Sequence, residues 1–229
     1  MRLGGMMIRR YLVPLAFGAI GVGILLGLGF WQLDRLEEKE IYLADQDARI
    51  AAAPVALPAE PDPVTDRFLP VIVTGAFDEP ELSVLVSRKQ IGPGVRLIAP
   101  FVTDTGRRIM VDRGFVREDA RGGDHTATAF EVTGNLHWPD EMGSSIPPPD
   151  EEAGLWFARD VVAMAAALDT DPILLVARSN TGGGVEPMPV DNADSPNNHL
   201  QYAITWFLLA AVWAGMTGLL VWRIRQRTV

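Results

Sequence analysis

His199, Tyr202 and Trp206 stand three and seven positions apart, which places an imidazole, a phenol and an indole on one face of a helix. A neutral imidazole is a good axial ligand for haem iron, and aromatic rings beside it can line a macrocycle. A second group, Trp31, Gln32 and Arg35, ends another apolar stretch far away in the chain, and its guanidinium suits a haem propionate. The same residues have a plainer reading as an aromatic belt with a histidine at a membrane interface, and on chemistry alone both readings stand. No other set competes. His125, in a turn over residues 122–126, and His137, beside Trp138, have no partner at metal-ligand spacing and read as solvated or structural. Ser144, Ser145 and Ser179 lack a Gly-x-Ser-x-Gly context. The acidic runs at 150–152 and 191–194 read as solvated, the latter without the spacing of an EF-hand loop. The residues offer no catalytic constellation, so the expectation is a protein that is not an enzyme.

Two elements must bring these groups together. Residues 11–33 and 200–222 are each uncharged over 23 positions. At a helical rise of about 1.5 Å such a run reaches roughly 34 Å, enough for a hydrocarbon core of about 30 Å. All 29 acidic residues lie between the two runs, against 14 of the 20 lysines and arginines, while the tails carry six arginines and no acid. Short basic flanks stay on the cytoplasmic side, so both termini (1–10 and 223–229) are expected in the cytoplasm and the middle in the periplasm of a bacterial inner membrane or its mitochondrial counterpart. The first run exceeds the roughly 7–15 apolar residues of a cleaved leader and is read as a span. An exported middle puts the end of one span and the start of the other at the same membrane level. Small residues at four-residue spacing, Ala19, Gly23 and Gly27 on the first span and Ala211 with Gly215 or Ala214 with Gly218 on the second, offer a face for packing the two spans together or, alternatively, onto a partner protein's helices.

Between the spans, residues 34–63 read as a helix leaving the membrane and a Pro-rich linker, with prolines at 54, 58, 61 and 63. Residues 64–196 form the exported domain. Short β-rich runs at 68–77, 82–88, 95–102, 108–116, 128–138 and 172–178, with turns at 92–94 and 104–106, predict an antiparallel meander or small barrel. Asp160 starts a short Ala-rich helix over 161–168, and the glycines at 182–184 begin a flexible return to the second span. The fold class expected is a membrane-anchored α+β protein, with two transmembrane helices flanking an antiparallel β-rich extracytoplasmic domain. The absence of cysteine excludes disulfides and thiolate metal sites, hence a Cys-x-x-Cys copper chaperone. The acidic middle argues against a nucleic-acid partner.

Several stretches, in order, resemble the surfeit locus protein 1 family. Leu28-Gly29-Phe30-Trp31-Gln32 with Arg35 is similar to the end of its first span. Arg67, Val71, Val73, Gly75 and Phe77 follow its Arg-x-x-x-Val-x-Val-x-Gly-x-Phe strand, and residues 92–100 its glycine turn and Pro-containing strand. Val111-Asp112-Arg113-Gly114-Phe115-Val116 resembles Val-Asn-Arg-Gly-Trp-Val, with Asp and Phe in place of the commoner Asn and Trp. Asn197-Asn198-His199 with Tyr202, Thr205 and Trp206 looks like the start of its second span, whereas Glu38 stands where many members have Trp. The resemblance implies a non-enzymatic assembly factor for cytochrome c oxidase that helps place haem a in subunit I. The partners implied are cytochrome c oxidase subunit I, haem a synthase and the lipid bilayer. On this reading His199 ligates the iron of a transiently bound haem a, Trp31, Tyr202 and Trp206 line its ring, and Arg35 or Gln32 meets its polar edge. The alternative is a haem-free scaffold that binds subunit I or the synthase through the periplasmic domain.

Overall fold

A computed structural model describes residues 3–88, 91–150, 152–192 and 195–227, and the chain divides into two compact units. In chain order the elements are α1 (Leu3–Ala51), β1 (Val55–Ala56), β2 (Pro70–Phe77), β3 (Leu82–Arg88), β4 (Gly92–Thr103), β5 (Arg108–Arg117), a 3-10 turn (Glu118–Ala120), β6 (Glu131–Leu136), β7 (Leu155–Trp156), α2 (Val161–Leu168), β8 (Leu174–Ala177) and α3 (His199–Gln226).

One unit comprises residues 1–45 and 193–229. It is an antiparallel pair made by α1 and α3, both long and apolar enough to cross a membrane. The less exposed positions of α1 recur at Tyr11, Pro14, Gly18, Gly21, Leu25, Leu28 and Gln32, alternating steps of three and four. Those of α3 do the same at His199, Ala203, Trp206, Ala210, Trp213 and Thr217. That alternation keeps one seam facing the partner helix over many turns. At Gly18, Gly21 and Gly29 an added Cβ would fall 2.3–2.5 Å from Thr217, Trp213 and Phe207 respectively, so bulky α3 side chains seat directly on α1 backbone. Phe17 and Trp213, and Phe30 and Phe207, add ring contacts with centroids 5.4 Å apart. The four-residue stripes expected to make this contact do not make it: a Cβ on Gly23, Gly27, Gly215 or Gly218 would meet nothing within 4 Å. Large knobs over glycine, rather than small residues against small residues, set the register.

The other unit, residues 46–192, is built on a closed five-stranded barrel. Its strands run β2–β6–β8–β5–β4 and return to β2. Closure depends on β4, which pairs with β3 from Gly92 to Ile98 and with β2 from Phe101 to Thr103. Pro100, which has no N–H to give a ladder, lies in the gap where β4 has left one neighbour and not yet met the other. The antiparallel expectation holds for most pairs, with one correction at the centre: β8 inserts between β5 and β6, antiparallel to β6 and parallel to β5. A parallel neighbour requires a long crossover, and α2 lies in it. Two local expectations also change. Gly92-Pro93-Gly94 begins β4 instead of forming the turn, while Lys89 and Gln90, before it, lie outside the described residues. The glycine stretch packs: a Cβ on Gly182 or Gly183 would lie 2.3 Å from Thr128 or His125, and Thr181 and Val185 beside it are buried. Within the acidic runs, Glu151, Ala193 and Asp194 lie outside the described residues.

Alternation along the strands sorts the core into two layers. Val71, Val73, Phe101, Ile109, Val111, Val132, Leu136 and Leu175 form one cluster, the barrel interior. The opposite face, with Val84, Ile98, Met110, Leu174 and Val176, is covered by Val161, Met164, Ala165 and Leu168 of α2 and by Trp156. Those α2 positions follow i, i+3, i+4, i+7, the stripe of a helix with one buried face. Asp160 starts the helix as expected, its carboxylate accepting from Val162 N at 3.1 Å and Ala163 N at 3.0 Å. Each of the buried Val, Leu, Ile and Met side chains contributes about 1.5–3 kcal/mol.

Hydrogen bonds also tie down both ends of this unit. The carbonyl of Ile50, exposed by the end of α1, accepts from Asn135 Nδ2 and Arg178 Nη1, both at 3.0 Å. Asn192 Nδ2 donates to Asp47 Oδ1 at 2.9 Å. The segment leaving the domain is thereby fastened to the one arriving.

His137 stacks on Phe68 at 5.3 Å with its Nδ1 buried and unpaired. Burial, then the guanidiniums of Arg159 and Arg67, and more weakly Arg96, push its pKa down to about 4, and Glu141 opposes them. An unfolded histidine binds its proton near pH 6.5, so the native state is stabilised above that pH and loses the contribution as pH falls towards 4. The loss is on the order of 2–3 kcal/mol. Thermal melts of wild type and His137→Phe between pH 7 and pH 4 should show a shallower decline for the variant. Parallel declines would mean that this imidazole does not set the acid limb.

Candidate functional site

Within the helical unit, Gln32 and His199 occupy facing positions of the seam. His199 is the first residue of α3, is half-buried, and its Nδ1 lies 2.8 Å from Gln32 Oε1. Its Nε2 has no hydrogen-bond partner among the described residues. Trp206, two turns along α3, is partly buried on the same side, and its indole Nε1 is buried without a partner. So is Asn197 Oδ1, just before the helix. Tyr202 is not drawn into the seam: its side is exposed, at 55%, as is Trp31 at 49%. The expected single face of α3 is therefore divided, with His199 and Trp206 turned to α1 and Tyr202 turned away. Arg35 lies over the Trp31 ring at 5.8 Å and pairs with Glu38 at 2.5 Å. A propionate approaching Arg35 would have to compete with that carboxylate, which stands where the resemblance expects Trp.

An imidazole with a free nitrogen, exposed aromatic faces at the same helix ends and a guanidinium nearby are suited to a haem edge, and the unpaired Trp206 and Asn197 atoms leave polar capacity unused. The described residues hold no cluster of three or more histidine or carboxylate side chains that could bind a bare metal ion.

The barrel carries a charged centre that the sequence reading missed. Asp112 and Arg113 are both fully buried on β5. Leu97 pairs with Gly114 and Ile98 with Asp112, so Arg113 is the extra residue of a β-bulge. The bulge sends two consecutive charges to different partners. Asp112 Oδ2 accepts from Arg96 Nη1 at 2.5 Å and from Arg159 Nη1 at 3.4 Å, while its Oδ1 is unpaired. Arg159 also binds Glu141, and that carboxylate, with Asp112, outweighs burial to raise the guanidinium above its ordinary pKa. Arg113 pairs with Glu81, donates to Thr181 Oγ1 and Gly182 O at 3.2 Å, and lies over the Phe77 ring. Nearby, a cavity of about 560 Å³ opens between residues 77–83 and 121–127. Three of its four carboxylates are engaged: Asp78 by Arg108, Glu81 by Arg113 and Asp124 by Thr126. An Asp-Arg pair inside an apolar strand run was the available signal for this centre. His125 binds Gly183 O and Ala120 O, each at 2.9 Å, a structural role in keeping with its sequence reading.

Residues 19–211 match the model of the SURF1 family. Over 212 residues the chain is 30% identical to "Surfeit locus protein 1" of Rattus norvegicus, covering 81% of this chain and 68% of the relative. It is 31% identical to a "SURF1-like protein" of Monosiga brevicollis, covering 84% and 82%. A bacterial "SURF1-like protein", from Rickettsia bellii (strain RML369-C), is 28% identical over 90% of this chain and 88% of its own length. With most of its length matched, the protein belongs to the SURF1 family.

Proposed function

We propose that this protein is a non-catalytic assembly factor for a haem-copper terminal oxidase, anchored in a bacterial inner membrane by α1 and α3, and that it holds haem a for delivery to subunit I. The basic tails support cytoplasmic termini, and the acidic middle supports a periplasmic barrel. The observation that carries the reading is His199, a half-buried imidazole at the start of an apolar helix with one nitrogen engaged and the other free. Haem a, when bound, supplies the redox-active iron; the chain's part is to hold it. His199 would provide a nitrogen ligand for the iron, Trp31, Tyr202 and Trp206 apolar surface for the ring, and Arg35 a cation for a propionate. A lipid tail and charged propionates on one ligand favour a site at the membrane edge, where both can be solvated in their own way.

Purified in detergent from cells that make haem a, the wild-type protein should show a Soret band, and His199→Ala should lose it. Full pigment in the variant would remove His199 from the site. The Arg35–Glu38 pair favours a second reading, in which Arg35 is already satisfied and the chain is a haem-free scaffold that binds subunit I or haem a synthase through the barrel. A colourless wild-type protein that still restores oxidase in a deletion strain would favour the scaffold.

A further inference from the structure

We infer that Gln32 is the positioning residue of His199: its amide oxygen fixes the imidazole as the Nδ1–H tautomer and so reserves the Nε2 lone pair for a ligand. The contact is 2.8 Å between His199 Nδ1 and Gln32 Oε1. A carbonyl oxygen can only accept, so the proton of the neutral ring must be on Nδ1. The other nitrogen then carries an in-plane lone pair, and it has no partner among the described residues. In water the Nε2–H tautomer of histidine is the commoner one, which turns its lone pair to Nδ1. Gln32 reverses that preference at no cost in net charge.

The placement makes the bond more than a chance contact. Gln32 lies on the α1 seam and His199 on that of α3, joined across 167 positions of sequence. Ala203 and Ala210 are buried further along the α3 seam, and Phe207 seats on Gly29 one turn before Gln32, so helix packing fixes where the amide stands. The ring is then held in plane as well as in protonation state. A hydrogen-bonded outer partner commonly does this for a metal-bound histidine, and its removal typically costs 10–100-fold in affinity. Gln32 therefore acts through His199 instead of touching the polar edge of a haem itself. The tautomer assignment stands on the apo geometry; the consequence for haem rests on the proposed function.

Full-length protein with ¹⁵N-labelled histidine, in detergent and free of haem, tests the first part. Wild-type His199 should give the nitrogen shifts of an Nδ1–H imidazole, Gln32→Leu those of a predominantly Nε2–H imidazole, and Gln32→Glu, which keeps an acceptor, should retain the proton on Nδ1. His125 and His137 report in the same spectra whether the barrel is folded. An Nε2–H His199 in the wild type, or an unchanged tautomer in Gln32→Leu, overturns the inference. Haem a titration tests the second part: Gln32→Leu should bind about 10–100-fold more weakly, and Gln32→Glu should keep binding with a lower midpoint potential. Where His199→Ala loses haem, unchanged affinity and potential in both variants would also overturn it. Should His199→Ala retain haem while the tautomer switch is seen, the proposed function fails and the positioning role survives.

Discussion

Asp112→Asn is expected to destabilise the barrel by about 3–5 kcal/mol, the usual cost of removing one partner from a buried ion pair. The substitution preserves shape and removes only charge. It leaves Arg96, whose side chain is 10% exposed, with only uncharged acceptors, the new amide oxygen and the Met188 carbonyl at 3.2 Å. Arg159 is less affected, since Glu141 still holds it. The orphaned charge should therefore be Arg96, and truncating it should relieve the strain. Asp112→Asn/Arg96→Met should be more stable than Asp112→Asn alone, even though it removes more native hydrogen bonds. Thermal melts of the full chain in detergent would show a fall in Tm on the order of 10 °C for the single variant and partial recovery for the double. Additive losses would show that the pair is not the energetic unit the geometry indicates. Asn is the commoner residue at this place in the resemblance noted above. Its expected cost here comes from Arg96 and Arg159, which converge on this particular carboxylate.

The parts that were legible in the sequence are those fixed by local pattern. Uninterrupted apolar runs located α1 and α3, and Asp160 before a periodic Ala-rich stretch located α2. Strand positions followed from β-rich runs, with ends displaced by a few residues. What could not be read depends on which distant segments meet. The parallel placement of β8 between β5 and β6 leaves no mark on its four residues, because a fully buried strand is apolar whichever way its neighbours run. The helix seam was misjudged because a rule based on small residues marks where backbones can approach, not which large side chains will take the space. Trp213 and Phe207 choose Gly21 and Gly29, and Gly23 and Gly27 are left on the outer surface. Of the candidate site, chemistry picked out both His199 and Gln32 but not their contact, and it grouped Tyr202 with the inward face although a turn of three residues carries it outward. The buried charge centre escaped entirely: the Asp112-Arg113 pair inside an apolar strand run was a signal, but Arg96, Arg159 and Glu141 come from three other segments, and each of those resembles an ordinary surface charge.

Gly114→Ala should prevent the barrel from reaching its native state under conditions where wild type folds. Gly114 follows the bulged Arg113 and has φ +123°, a region that L side chains rarely adopt, at a cost of about 1–3 kcal/mol. Space is the harder limit. A Cβ there would lie 2.1 Å from the carbonyl oxygen of Glu186, and that carbonyl accepts from Phe115 N at 2.7 Å while Phe115 O accepts from Glu186 N at 3.0 Å. Backbone on both sides leaves no flexible side chain to move away. Relief would require breaking the Phe115–Glu186 bridge, which holds the glycine-rich return, or flattening the bulge that separates Asp112 from Arg113. Either route exposes a buried charge: Arg113 owes its bonds to Thr181 and Gly182 to that return. The expected loss is thus above 4 kcal/mol, in the range reserved for a few severe mechanisms. Limited proteolysis and far-UV circular dichroism of the full chain should show a cleaved, strand-poor central domain with helical signal remaining. Gly106→Ala serves as the control, because φ is also positive there, at +82°, while an added Cβ meets nothing within 4 Å. It should pay only the conformational term and remain folded. If the two variants behave alike, the contact with Glu186 is not what makes glycine necessary at the bulge.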